Sequence, residues 1–294
     1  MDKISTPGKY DIPMDFYHSD CCAGHSVSGS GLVLIERKTL AHYWHASYLN
    51  PKREPIDSTA LKFGRAAHAF ILGEPEFNRE FVLSPYDDFR TKEARTWREQ
   101  QSRTVVTAAQ MDMIRAMGKT VLQTDLVKTA FTDGKAEQSL IWKDRETGLW
   151  LKSRPDWLPN TLRFVPNFKT TKNGNPREWR MDAFKLGYHQ GAALCLEGLK
   201  EVIGWGDATY YFVVQEKEPP YVVTPILMRD TDIEWGGLLN RSALRRLARA
   251  IDAGKWSGYS DEVVEVDMPG HIESGLQSRH EAGEFQSPEE RQAA

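Results

Sequence analysis

Apolar residues recur at helical spacing in several stretches and cluster at strand-like spacing in others. Residues 30–48 carry Leu32, Leu34, Ile35, Leu40, Tyr43 and Trp44, which predicts one or two amphipathic helices. Residues 59–73 place Phe63, Ala67 and Ile71 on one helical face, and Gly73 followed by Pro75 stops that helix. A third helix is predicted over 107–124, with Thr107 as its N-cap. Segments 137–143 and 149–157 flank the turn DRETG and predict a β-hairpin. Residues 161–169 alternate into a third strand. Its Pro166 has no N–H for a ladder, so it must sit at a sheet edge or a local irregularity.

Asn175-Pro176-Arg177-Glu178 then opens a long helix reaching about residue 200, with Asn175 capping and Glu178 placed to reach back. Strands are predicted at 208–215 and 220–228. A last helix spans 230–254, with Arg241, Arg245 and Arg249 four apart on one face. A helix between the third and fourth strands is the right-handed crossover that makes neighbouring strands parallel. The expected fold is therefore α/β (α+β), a sheet flanked by helices. The expected division is an irregular arm over 1–26, a single domain over 27–270, and an acidic, flexible tail over 271–294.

Composition narrows the class. With 294 residues, 40% hydrophobic and 27% charged, the chain is long enough for a real core and is no collagen, coiled coil or wholly disordered polymer. No apolar run has the length of a membrane span, and the N-terminus lacks the apolar core of a signal peptide, so a cytoplasmic protein is expected. Cys21, Cys22 and Cys195 form neither a disulfide framework nor a metal clip, and Cys195 reads as a core thiol. The net charge of −3 hides an uneven distribution. Residues 261–294 hold nine acids and two arginines, whereas 90–103, 152–180 and 241–255 are each basic. Such blocks neutralise phosphate or simply form solvated faces.

The chemistry concentrates in Arg154-Pro155-Asp156, followed ten residues later by Asn167-Phe168-Lys169. Asn167 and Lys169 are two apart on a strand and share a face, and Asp156 across the turn is placed to join them. An acid, an amide and a lysine suit a hard, oxygen-seeking cation such as Mg²⁺. An ordinary strand-end ion pair between Asp156 and Lys169 fits the same residues.

The ordered set YDIPMDFYH, SGSGLVLIERKTLAHYW, ALKFGRAAHAFILGEPEF, AEQSLIWKDRETGLWLKSRPDWL, FKTT and GYHQGAALCLEGL resembles the PD-(D/E)xK nucleases, and more closely their RecE-like, exonuclease VIII-type branch. The likeness covers about residues 10–270. It implies a restriction-endonuclease-like core, a mixed central sheet flanked by helices. It also implies metal-dependent digestion of one strand of linear double-stranded DNA from its ends, 5′ to 3′, in phage-type recombination.

By this resemblance His68 and Asp156 hold metal, Glu137 holds metal or water, and Lys169 positions the attacking water. Taken alone, His68 reads as a core histidine and Glu137 as an exposed strand-end glutamate. The implied cofactor is Mg²⁺, with Mn²⁺ as the alternative. An iron–sulfur cluster, which needs four cysteines, is not expected. The implied partners are DNA ends, further copies of the chain in a ring, and a RecT-like single-strand annealing protein, in the cytoplasm of a bacterial or phage-infected cell.

Two departures stand out. Asn167 occupies the position of a metal-binding acid, removing one negative charge from the site. Gly191 and Cys195 replace a Gln and a Tyr four apart, and Ala183, Gly187, Gly191 and Cys195 read instead as a small-residue packing stripe. Tyr188, His189 and Gln190 are candidate neighbours of the site. Arg90, Lys92, Arg95, Arg98, Arg154, Lys172 and Arg177 are the candidate DNA contacts, and Phe89 and Trp97 are either stacking or packed aromatics. A catalytically dead binding module and a repair or defence endonuclease remain as rival readings.

Overall fold

A computed structural model of the protein describes residues 1–53 and 59–286. The chain begins with strand β1 (Gly8–Tyr10), the one-turn helix α1 (Met14–Tyr17), strand β2 (Ser26–Ser28) and helices α2 (Gly29–Arg37) and α3 (Leu40–Ala46). A helical stretch follows: α4 (Thr59–Leu72), α5 (Glu74–Glu80), β3 (Phe81–Leu83), α6 (Lys92–Glu99), β4 (Thr104–Val106), α7 (Ala108–Val121) and α8 (Asp125–Ala130). Then come β5 (Gly134–Ala136), β6 (Ser139–Lys143), β7 (Trp150–Ser153), β8 (Trp157–Pro159) and β9 (Phe164–Thr171). The chain continues through α9 (Pro176–Lys185), α10 (Tyr188–Ile203), β10 (Thr209–Glu216), β11 (Val223–Leu227), α11 (Asp230–Ala253) and α12 (Gly270–Glu281).

The strands form a mixed α/β architecture with two principal sheets, ordered β1-β6-β7-β2 and β11-β10-β9. The hairpin expected around DRETG is the antiparallel pair β6–β7, with Leu140 opposite Ser153. The expected crossover is also present, because β9 and β10 run parallel with Asn167 opposite Phe212. β9 is an edge strand of its sheet, which is where a strand can tolerate Pro166. Two small sheets, β3-β4 and β5-β8, were not anticipated from the sequence. Their strands are three residues long, too short to show a period.

The main core lies between these sheets and α2, α10 and α11. It includes Leu32, Leu140, Trp142, Leu151, Leu194, Leu199, Phe212, Leu244 and Leu247. Thr107 caps α7 as its sequence predicts, and Gln110 reaches back to complete a reciprocal box. Asn175 caps α9 by accepting from the Arg177 N–H. The single long helix expected from 176 to 200 is instead two helices. Gly187 adopts a left-handed conformation (φ 73°) that ends α9 and starts α10.

The opening 26 residues are more ordered than the expected irregular arm. β1 pairs with β6, Ile4 bridges to Cys22, and Ile4, Ile12, Tyr17, Cys21 and Cys22 form a buried cluster with Ile141 and Trp150. At the other end, the chain divides after Trp256 into the compact units Met1–Trp256 and Ser257–Ala294. The second unit contains α12, where Arg279 makes a paired contact with Glu284 at 2.6 and 2.9 Å. Part of the segment expected to be a flexible tail is thus helical, and its last residues, 287–294, lie outside the described residues. No helix among the described residues is long and apolar enough to cross a membrane.

Candidate active site

Three local devices bring the site together. The first is the β5–β8 pair, which registers Ala136 with Trp157, so the next residues, Glu137 and Asp156, face each other. The Glu137 N–H donates to the Asp156 carbonyl at 3.1 Å. Glu137 takes a left-handed backbone (φ 54°), a conformation a side-chain-bearing residue seldom adopts outside a constrained site. The second is strand β9, whose Phe168 N–H donates to Asp156 Oδ2 at 2.6 Å and carries Asn167 and Lys169 alongside. The third is α4, which packs on β9 with Gly64 against Thr170 and the His68 ring 6.3 Å from that of Phe168.

His68 stands between the two acids. Its Nε2 is 3.0 Å from Asp156 Oδ1 and its Nδ1 is 3.5 Å from Glu137 Oε1. One ligand atom from each of His68, Glu137 and Asp156 lies within 4.8 Å of the others. The Lys169 ammonium is 3.9 Å from Asp156 Oδ2, donates to the Phe168 carbonyl at 3.0 Å and sits over the Tyr188 ring. Asn167 is buried, and its Oδ1 has no hydrogen-bond partner. A buried carbonyl oxygen without a donor is costly unless something electropositive meets it.

The electrostatics follow from burial and from these neighbours. Burial alone would raise the Asp156 carboxyl. The adjacent His68 and Lys169 and the Phe168 N–H overcome that and hold it below the usual carboxylate range. Glu137 is pushed up, chiefly by burial and by Asp156, although His68 and Arg154 act the other way. Burial would lower His68, but the two carboxylates win and raise it.

The cluster opens into a cleft of about 980 Å³. The donor set suits a divalent cation: two carboxylates, one imidazole, and an unsatisfied amide oxygen beside them. His68, Glu137 and Asp156 would hold such an ion, with Asn167 contributing a neutral oxygen.

Several expectations need correction. Arg154 lines the cleft, but its guanidinium is engaged by its own chain rather than free for phosphate. Its side chain is 6% exposed, and its Nε donates to Glu137 Oε2 at 2.6 Å while Nη1 donates to the Ile12 carbonyl at 2.9 Å. It orients Glu137. Of the three candidate neighbours, Tyr188 lines the cleft, but His189 and Gln190 turn away. The Gln190 amide donates to Asn240 on α11, and the His189 ring packs on Phe184.

The small-residue stripe also divides. A Cβ on Gly187 would strike the Val33 methyls at 2.7 Å, so Gly187 is a packing position, whereas one on Gly191 would meet nothing within 4 Å. Cys195 lines the cleft, but burial pushes its thiol up to about 12, so it is no nucleophile at neutral pH. Arg90, Lys92, Arg95 and Arg98 are exposed on α6 and its leading loop, outside the residues that line the cleft. Lys172 and Arg177 are exposed beside β9 and α9. Phe89 lies under Arg98, and Trp97 packs edge-on to Tyr86. The arginine row of α11 is taken up by its own chain, with Arg241 on Asp144 at 2.7 Å and Arg245 on Glu146 at 2.5 Å.

Other cleft residues were not foreseen. Ser28, Gly29 and Ser30 at the start of α2, Tyr17 and His18 after β1, and Lys217 after β10 all line it. The run SVSGSG was legible as a helix start, yet nothing in the sequence tells which wall that helix start faces.

Comparison with known proteins bears on the fold that carries this site. Residues 35–267 match the family described as "PDDEXK-like domain of unknown function (DUF3799)". The chain belongs to that family. It is therefore a PD-(D/E)xK-type, nuclease-like domain, and the mixed sheets flanked by helices are that fold. Among solved structures, it is similar to a "Putative exonuclease" from Eubacterium rectale, with a TM-score of 0.60 and 12% identity. The match covers 90% of this chain and 98% of that one. No curated protein matches it in sequence.

Proposed function

We propose that this PD-(D/E)xK domain is a metal-dependent exodeoxyribonuclease of the RecE type that digests one strand of linear duplex DNA from its ends. The observation that carries the reading is the convergence of His68, Glu137 and Asp156 with the unsatisfied Asn167 oxygen and the Lys169 ammonium in one cleft. A divalent cation, Mg²⁺ or Mn²⁺, supplies charge neutralisation at the scissile phosphate and acidifies the attacking water when bound. Lys169 lies where it can orient that water and steady charge developing on phosphate. Arg154 keeps Glu137 turned inward, and Tyr188 walls the Lys169 side. In this reading the polarity is 5′ to 3′. The chain works in the cytoplasm as a homo-oligomeric ring beside a single-strand annealing protein, in phage-type recombination.

Asn167 weakens the site as it stands. An amide oxygen still ligates, but it brings no charge to set against a dication. The test uses a linear duplex labelled at each 5′ end, with Mg²⁺, comparing the native chain with Asn167→Asp. Release of label by the Asp form at a rate at least tenfold above the native chain is expected. A closed circular duplex should remain intact, and nicking of the circle would identify an endonuclease. The second reading, a binding module that has lost catalysis, is favoured by Asn167 and by the open space at Gly191. It prevails if neither form cuts while both bind DNA.

A further inference from the structure

Helix α9 joins the site strand β9 to the cleft wall at Leu186–Tyr188, so the chain enters and leaves it at the site. Trp179 and Ala183 bury its inner face. Arg177, Arg180, Met181 and Phe184 are spaced three, four and seven apart and share the outer face. Met181 is 67% exposed and Phe184 41%, and Leu186, at the cleft end of the helix, is 48% exposed. Among the described residues neither Arg177 nor Arg180 has an ion-pair partner. On α11, by contrast, Arg241, Arg245 and Arg246 are each engaged by a carboxylate of the same chain, and Arg249 donates to the Arg245 carbonyl.

One face thus offers two unpaired cations and two exposed apolar side chains, and it runs into the cleft through a third. Duplex DNA presents phosphates outward but hides the faces of its bases, so Met181 and Phe184 would gain nothing from it. An unpaired strand presents both phosphates and base faces, and aromatic and cationic side chains together are what such a strand binds. We propose that the outer face of α9 is a track for single-stranded DNA running to the cleft, with Arg177 and Arg180 on phosphates and Phe184 and Met181 beneath bases. The track rests on the nuclease reading for the origin of the strand, but its binding is measurable without catalysis.

The experiment uses the full chain in EDTA and follows fluorescence anisotropy with a labelled oligo(dT) of about 15 nucleotides and a blunt duplex of the same length. The Met181→Ala/Phe184→Ala variant is expected to bind the single strand at least roughly tenfold more weakly, because loss of one base–aromatic contact, that of Phe184, is worth about that factor. Its duplex affinity should stay within about twofold. Met181 is exposed and Phe184 gives up its contact with the His189 ring, so the thermal melt should stay within about 4 °C of the native chain. The Arg177→Gln/Arg180→Gln variant should flatten the dependence of log K on log salt for the single strand by about 1.4.

The proposal is overturned if the apolar variant weakens both ligands equally or neither. It is overturned too if the native chain binds duplex but no single strand, an outcome that leaves the nuclease reading intact. If instead that variant changes sedimentation from oligomer to monomer with DNA binding unaltered, the face joins copies of the chain and the track is wrong. Should Asn167→Asp fail to cut while single-strand binding still depends on α9, the nuclease reading falls and the track stands.

Discussion

Glu137 stands within the metal-holding group and Arg154 behind it, and their pairing governs the behaviour of both. Glu137 is a half-buried carboxylate on a left-handed backbone, and the Arg154 guanidinium is its nearest cation at 2.6 Å. Replacing Arg154 with Met should therefore cost about 2 kcal/mol, because the partly buried acid loses its nearest partner and keeps only His68 at 3.5 Å. The Arg154→Met/Glu137→Gln double variant should recover much of that loss. Urea midpoints of the native chain and the two variants check it, and equal midpoints for the single and double variants would refute it.

The titration of the same cluster sets a pH profile. Asp156 is depressed, so its contribution to stability is present above its unfolded pKa of about 3.9 and fades as pH falls through its lower folded value. His68 is raised, so its contribution is full below about 6.5 and fades as pH climbs through its higher folded value. Glu137 is raised as well and subtracts stability once it ionises. The metal-free chain should thus lose stability in mild alkali, while its affinity for Mn²⁺ rises over the same interval as His68 gives up its proton. Melting curves and calorimetric titration between pH 5.5 and 8.5 (about three units around the free histidine value) test the opposed trends. Parallel trends would show that His68 is not a ligand.

At this scale the sequence was legible only in part. Asp156, Asn167 and Lys169 could be placed together because strand spacing puts alternate residues on one face. His68 needed the likeness of whole segments, since a histidine beside an apolar stripe has no signature of its own. The inward role of Arg154 was hidden, because burial of a long cation depends on which chain covers it, here Ile12 and Tyr17 from the N-terminal segment.

Among the elements, the break between α9 and α10 matters most. Periodicity continued through it, so the sequence read as one helix, but Gly187 turns left-handed and aims Tyr188 at Lys169. Two other glycines make a paired prediction about helix packing. A Cβ on Gly236 would lie 2.4 Å from the His189 carbonyl oxygen, so Gly236→Ala must push α11 from α10 and should destabilise by more than about 1 kcal/mol. Gly191 has open space, so Gly191→Ala should be neutral or stabilise by up to about 1 kcal/mol through helix propensity. Thermal melts of the two variants decide it. The same shift in both would mean that the α10–α11 crossing is not what limits Gly236.

For the whole molecule, the compact unit Met1–Trp256 holds every core cluster and every cleft residue found among the described residues. A chain ending at Trp256 should keep the urea midpoint of the full protein within about 0.5 kcal/mol of stability. A larger loss would mean that residues 257–294 contribute to the core. That unit includes the first 26 residues, whose polar composition concealed a strand that pairs with β6 and a buried floor under Arg154 and Lys152.

The sequence by itself determined the longer elements, the β6–β7 hairpin, the parallel crossover and the acid-amide-lysine group. Each of these rests on local periodicity, turn chemistry or handedness, which act over a few residues. Only the tertiary structure decided that His68 closes on Glu137 and Asp156, that Arg154 pairs with Glu137, and that α11 spends its arginines within the chain while α9 leaves two without an ion-pair partner among the described residues. Those outcomes depend on which distant surfaces meet, and burial, pairing and pKa are properties of the meeting rather than of either segment alone.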